Sequence, residues 1–200
     1  KESKDLQIAC WLIEAGIHEF GIDAAAPGLT FINTLCSTYW DSMYPEDDNE
    51  EDSPRFSPII WLDDRLSTLI LRTTLFEGQD ENGTFPWSFS DYELARRQSS
   101  KPRTEPASSE ETATRYNIDA FNETLNNEPV SHLAQVTATL DSIDAQATLL
   151  EEELETLSSG RAPPLNRLRK ASADVKILLA PILLKKIKDR NEAPTPVNQE

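Results

Sequence analysis

From Leu133 to Leu157, apolar side chains recur with a three-four alternation that does not break: Leu133, Val136, Leu140, Ile143, Ala147, Leu150, Leu154 and Leu157. A period near 3.6 held over more than three heptads admits one local structure, an amphipathic α-helix with a single continuous seam. At a rise of about 1.5 Å per residue, that seam is about 36 Å long. It must be covered, and the next segment supplies a match. Ser158-Ser159-Gly160-Arg161-Ala162-Pro163-Pro164 turns the chain, after which Leu165, Leu168, Ala171, Val175, Leu178 and Ile182 form a second stripe, bent or ended near Pro181. The simplest arrangement is a long antiparallel helical hairpin. Leu133, Leu140, Leu150 and Leu154 then either close the seam within one chain or share it with a second copy.

The front of the chain is helical by the same test. Ser3 or Asp5 caps a first helix on which Leu6, Ala9, Ile13, Ile17 and Phe20 recur, with Gly21 ending it and Gly16 beside Ile13 permitting close approach of a neighbour. Trp11 and Leu12 widen the stripe, so burial on more than one side is expected. A second helix starts near Pro27 and runs through Leu29, Ile32, Leu35, Cys36 and Tyr39 to Trp40. It closes on Tyr39-Trp40-Asp41-Ser42-Met43-Tyr44-Pro45, and Glu46-Asp47-Asp48-Asn49-Glu50-Glu51-Asp52 then forces the backbone into water.

A third helix, from about Pro58 to Leu75, carries Ile59, Leu62, Leu66, Leu69, Ile70 and Thr73 inward and Asp63, Asp64, Arg65 and Arg72 outward. Gly78 to Gly83 read as a polar turn, and Thr84 to Phe89 as an extended aromatic segment covering helix edges. Ser90-Asp91-Tyr92-Glu93 reads as a capping box for a short helix through Leu94, Ala95 and Arg97. Gln98 to Glu111, rich in Ser, Pro and charge, reads as a linker or exposed loop. A helix near Ala113 to Leu125 carries Tyr116, Ile118, Phe121 and Leu125. Asn191 to Glu200 look like the start of a linker.

Charge narrows the function. The formal net charge of -16 opposes a phosphate-backbone partner, so no nucleic acid is expected. The charge is uneven: Arg161, Arg167, Arg169, Lys170, Lys176, Lys185, Lys186, Lys188 and Arg190 face only Asp174 and Asp189 between residues 161 and 190. An acidic front and a basic rear suit contacts between copies or docking to an acidic partner, and equally a solvated helix face. The segment Val175 to Arg190 also combines apolar and basic residues as an interfacial helix does, so membrane contact is at most peripheral. Its longest apolar run, Ile177 to Leu184, is too short to span a bilayer.

Chemistry finds little support. Cys10 and Cys36 are the only cysteines and read as buried thiols of a reducing compartment, and with His18 and His132 the only histidines no metal-ligand spacing exists. Asp63 and Asp64 point about 100° apart on a helix, which suits two solvated acids better than an acid/base pair. The run Glu46 to Asp52 lacks the alternating ligands and central glycine of a calcium loop, and no glycine-rich phosphate loop occurs. No catalytic, cofactor or metal site is expected. Aromatic rings remain: Trp11 and Trp40 read as core, whereas Tyr44, Trp87 and Phe89 fall at helix ends or in an irregular segment, where rings also serve as binding anchors.

Ser3-Lys4-Asp5-Leu6 leading into Trp11-Leu12, then a helix closing on Tyr39-Trp40-Asp41 with Tyr44-Pro45 and an acidic loop, resembles the ImpA-type N-terminal domain of TssA-like proteins. The resemblance spans roughly residues 3 to 75. Relatives carry a further stretch before Ser-Lys-Asp-Leu, so an N-terminally truncated domain is expected. The resemblance implies a non-enzymatic, cytoplasmic scaffold of the bacterial type VI secretion apparatus, acting at the baseplate and in sheath and inner-tube assembly or capping. Its implied partners are baseplate, sheath, inner-tube and membrane-complex proteins, together with self-association. A related protein that holds the distal end of the sheath is the alternative, as is a membrane-surface adaptor. The expected fold is all-α: a compact helical bundle over 1–97, a loop over 98–112, a helix plus hairpin over 113–190 and a linker over 191–200. Tyr44, Trp87, Phe89, Leu133, Leu140, Leu150 and Leu154 are the expected protein-interaction residues.

Overall fold

A computed structural model describes residues 4–48, 53–80, 83–100 and 117–192. Among these lie seven α-helices: α1 (Leu6–Phe20), α2 (Ala25–Tyr39), α3 (Ser57–Arg72), α4 (Phe89–Ser99), α5 (Ile118–Asn127), α6 (Val130–Leu157) and α7 (Asn166–Glu192). Two strands, β1 (Phe76–Asp80) and β2 (Gly83–Trp87), pair antiparallel. The fold is therefore mostly helical rather than all-α. The sheet takes the place of the expected polar turn and aromatic cover: Phe76 lies opposite Trp87, Gly78 opposite Phe85 and Asp80 opposite Gly83. Aromatic residues on a short pleated ribbon reach their cross-strand neighbours, which a loop does not offer them. Gly78 is needed there, because a Cβ would stand 2.5 Å from Trp87 Nε1 and 2.7 Å from Phe85 Cζ.

The chain divides into two compact units, one of residues 1–73 with 138–174 and the other of 74–137 with 175–200. In the first, α1 is capped by Asp5, whose carboxylate accepts from the Gln7 and Ile8 amides, and ends at Gly21 with φ of 78°. Its inner face, Leu6, Ala9, Cys10, Ile13 and Ile17, meets Ala25, Ala26, Leu29, Ile32 and Cys36 of α2 and Ile59, Leu62, Leu66 and Ile70 of α3 in a common core. The close approach is made by Gly28 rather than Gly16: a Cβ on Gly28 would lie 2.7 Å from Ile13 Cγ2, whereas one on Gly16 would reach Ala24 at 3.8 Å. Helix α2 starts two residues earlier than Pro27.

The seam of α6 enters this core through Leu140, Ile143, Ala147, Leu150 and Leu154, all buried. The turn holds Ser159 at φ 55° and Gly160 at φ 85°, after which Leu165, Leu168 and Ala171 return. Glu151 accepts from the Leu165 amide at 2.6 Å and from Arg169 Nε at 3.0 Å, and Arg169 also donates to Thr148 Oγ1 at 3.0 Å. Partners that rise in number along α7 as they fall along α6 make the pair antiparallel. Asp63, expected outside, is 8% exposed because it serves as a cap supplied by another helix. Its carboxylate accepts from the Leu168 amide at 2.8 Å and the Arg167 amide at 3.2 Å, satisfying donors that the first turn of α7 leaves open.

The second unit is organised on Phe121 of α5, fully buried, with the rings of Phe76, Tyr92 and Trp87 at 5.0, 5.1 and 5.2 Å. Trp87 meets it edge-on at 84°. Ser88 and Asp91 form the capping box of α4, two residues before the expected one: the Ser88 amide donates to Asp91 at 2.9 Å and the Asp91 amide to Ser88 Oγ at 3.3 Å. Leu133, at the start of α6, is buried in this unit. Helix α7 runs past Pro181 to Glu192 without ending. Pro181 and Ile177 are both exposed, and Pro181 has no amide to give the Ile177 carbonyl. The residues expected near Ala113 to Tyr116, and the linkers over 101–112 and 193–200, lie outside the described residues.

Candidate interaction surface

Tyr39 to Pro45 is held by its backbone. Arg55, 3% exposed, sits in the turn Pro54–Phe56 that leads into α3. Its guanidinium donates to the carbonyls of Trp40, of Met43 at 2.9 Å and of Pro45 at 2.7 Å, and lies 4.8 Å from the centre of the Trp40 ring. The planar five-donor fork suits three diverging carbonyls, and the ring covers its face. Burial pushes the Arg55 pKa down, and the charges of Asp47, Asp41 and Glu46 push it back up. The same stretch pairs with the residues that lead into α1: the Leu6 amide donates to the Tyr44 carbonyl at 2.8 Å and the Tyr44 amide to the Lys4 carbonyl at 2.7 Å. Lys4 Nζ stands 4.2 Å from the Tyr39 ring centre. At the edge, Arg161 grips Asp47 through two bonds of 3.1 and 2.8 Å. With Met43 buried, the rings of Tyr39 and Tyr44 point outward, 39% and 51% exposed.

Tyr44 thus sits beside the first turn of α1, whose outer face is apolar. Ile8, Trp11 and Leu12 are 56%, 54% and 60% exposed, and Ala15 continues the row at i, i+3, i+4 and i+7. This corrects the expectation that α1 is covered on several sides. The inner stripe from Leu6 to Ile17 already fills the face that α2 and α3 cover, and Ile8, Trp11 and Leu12 project from the opposite one. The signal was present in the sequence as two apolar rows half a turn apart. At the far side of α1, Glu14 pairs with Arg65 of α3.

Of the other expected interaction residues, Phe89 is half-buried, with its ring 5.8 Å from Tyr92. Trp87, Leu133, Leu140, Leu150 and Leu154 are at most 2% exposed. Their side chains are taken up by contacts within one chain, which leaves them no surface for a second molecule.

The two thiols are core. Burial raises the pKa of Cys36 to about 12, against the lowering pull of Arg55, and drives that of Cys10 higher still. Cys10 Sγ lies 3.5 Å from the Pro58 carbonyl, the partner expected of a buried thiol. Among the described residues, no group of three His, Cys, Asp or Glu side chains could hold a metal ion, and no helix is long and apolar enough to cross a membrane.

Residues 1–64 match the family described as ImpA, N-terminal, type VI secretion system. A stretch of 51 residues is 37% identical to the type VI secretion system component TssA1 of Pseudomonas aeruginosa, covering 26% of this chain and 15% of that protein's length. The fold matches the N-terminal domain, including the conserved ImpA_N region, of the TssA component from Burkholderia cenocepacia. That match has a TM-score of 0.75 over 90% of this chain and 72% of the other, at 24% identity. The clamp around Tyr44 and the outer face of α1 both lie inside the family match.

Proposed function

We infer that this TssA-like chain, with its ImpA-type N-terminal region, is a non-enzymatic assembly component of a bacterial type VI secretion apparatus and works in the cytoplasm. It acts at the baseplate and in building or capping the sheath and inner tube, with proteins of those structures and of the membrane complex as its partners. One observation carries the reading from family to surface: the matched region presents an apolar row, Ile8, Trp11, Leu12 and Ala15, on the outside of a helix whose start is locked to the clamped Tyr44 segment. A rigid aromatic anchor with aliphatic neighbours is what a protein interface builds its energetic centre from.

The test is gentle purification of the tagged protein from its own bacterium at low and high salt, with identification of what accompanies it. A variant carrying Trp11→Gln and Leu12→Gln runs alongside. Both side chains are exposed, so helicity and melting should stay as in the parent. Sheath, tube or baseplate components should accompany the parent and be lost from the variant. Equal recovery with both proteins refutes the surface, and recovery of no secretion component refutes the role.

A further inference from the structure

We propose that the outer face of the C-terminal half of α7 is a docking seam for an acidic amphipathic helix of a partner protein. On α7 the residues Ile177, Ala180, Pro181, Leu184 and Ile187 are all exposed, with Ile177 at 71%, Leu184 at 68% and Ile187 at 41%. At about 100° per residue they fall within roughly a third of the helix circumference. The inner face of the same helix is already committed: Val175 and Leu179 are buried, Leu178, Ile182 and Leu183 are half-buried, and Lys186 donates to the Asn126 carbonyl at the end of α5. Lys186 points away from the exposed row, so its tether keeps that row outward. The hairpin therefore does not use this apolar row.

Charge selects the occupant. Lys185 and Arg190 are exposed on its two sides and Lys188 continues it beyond Leu184, against one exposed acid among the described side chains of this end, Asp189. A narrow apolar row at i, i+3, i+4 and i+7 with basic flanks is one half of a helix pair, and its complement carries acids on its own flanks. A second copy of this chain offers the same basic flanks, so pairing two such rows sets lysine against lysine. An anionic bilayer favours a broad apolar face with aromatic residues, and here the row is narrow and holds none. The proposal is independent of the secretion reading, since it rests on α7 alone.

The test uses the whole chain and two synthetic helical peptides with leucine at seam positions, one with glutamate and one with lysine on both flanks, together with vesicles of pure phosphatidylglycerol. The chain should bind the glutamate peptide, more weakly as salt rises, and leave the lysine peptide unbound. Leu184→Gln with Ile187→Gln should weaken that binding by on the order of tenfold, with circular dichroism unchanged. Lys185→Glu, Lys188→Glu and Arg190→Glu together should exchange the peptide preference. No binding of the glutamate peptide, equal binding of both peptides, or binding untouched by the Leu184 and Ile187 changes overturns the proposal. Preference for vesicles over peptide assigns the row to lipid, and a concentration-dependent dimer abolished by those two changes assigns it to a second copy; either result also overturns it.

Discussion

Arg55→Met is the sharpest perturbation available in residues 1–64, the stretch that matches the ImpA N-terminal family. The substitution keeps an unbranched apolar stem but removes the donors that hold the carbonyls of Trp40, Met43 and Pro45. Hydrogen bonds to a charged group contribute about 1.5–3 kcal/mol each. Against them stands the cost of burying a guanidinium, visible in its lowered pKa. The Trp40 and Pro45 bonds are only partly buried, so those carbonyls recover water, while the buried Met43 carbonyl is left without a donor. The net loss should be about 3 kcal/mol, and Arg55→Lys, which keeps the charge but not the fork, should lose about half of that. Urea unfolding monitored by circular dichroism gives the magnitude. Amide exchange at Leu6 and Tyr44, whose bonds join the clamp to α1, gives the location and should quicken in the Met variant. Stability within about 0.5 kcal/mol of the parent, with exchange at those amides unchanged, would refute the claim that Arg55 organises the segment.

Phe121→Ala removes the ring on which Phe76, Trp87 and Tyr92 converge, and should cost the second unit about 3–5 kcal/mol, read by amide exchange along α4 and α5. The thiol of Cys36 predicts an alkaline loss of stability. Its folded pKa of about 12 lies above the ordinary 9.0, so the unfolded chain gives up the proton first. The thiol's contribution is complete below pH 9.0 and drains away as pH rises toward 12, at up to about 1.4 kcal/mol per pH unit. Cys36→Ala should lessen that slope in unfolding measured across the same range, leaving the part due to Cys10, and an unaltered slope would contradict the burial argument.

The helices that could be read from sequence are those whose apolar period matches one inner face. The α6 row from Leu133 to Leu154 is buried except at the half-buried Val136, and α3 hides Ile59, Leu62, Leu66 and Ile70 as their spacing requires. On α7 the period holds through Val175 and then shifts by one, so Leu179 rather than Leu178 is buried. What escaped the pattern depends on neighbours distant in sequence. Phe76 to Trp87 became a ribbon because Phe121, more than thirty residues on, offers its rings a common centre. Asp63 became a cap because the open amides of α7 arrive beside it. Arg55 carried no pattern, since its three acceptors are backbone carbonyls that every residue possesses.

The outward apolar row of α1 was misread, and that of α7 fell outside the expected stripe, for one shared reason. Hydrophobic periodicity reports how many apolar faces a helix has but not how many neighbours the fold supplies to cover them. On α1 and on the end of α7 the apolar residues exceed what one neighbouring layer can bury, and the excess is exposed at Trp11 and Leu12 in one case and at Ile177 and Leu184 in the other. In a chain that keeps its charged residues elsewhere on the surface, such an excess carries a stability and solubility cost unless a partner covers it. The flanking charge then distinguishes the partners. Lys185 and Arg190 border the row on α7 and Lys188 extends it, whereas the α1 row lies beside Tyr44 of the clamp, so the proposed partner of the first is selected by charge and that of the second by shape and aromatic contact. Raising the salt should therefore weaken whatever binds α7 far more than whatever binds α1.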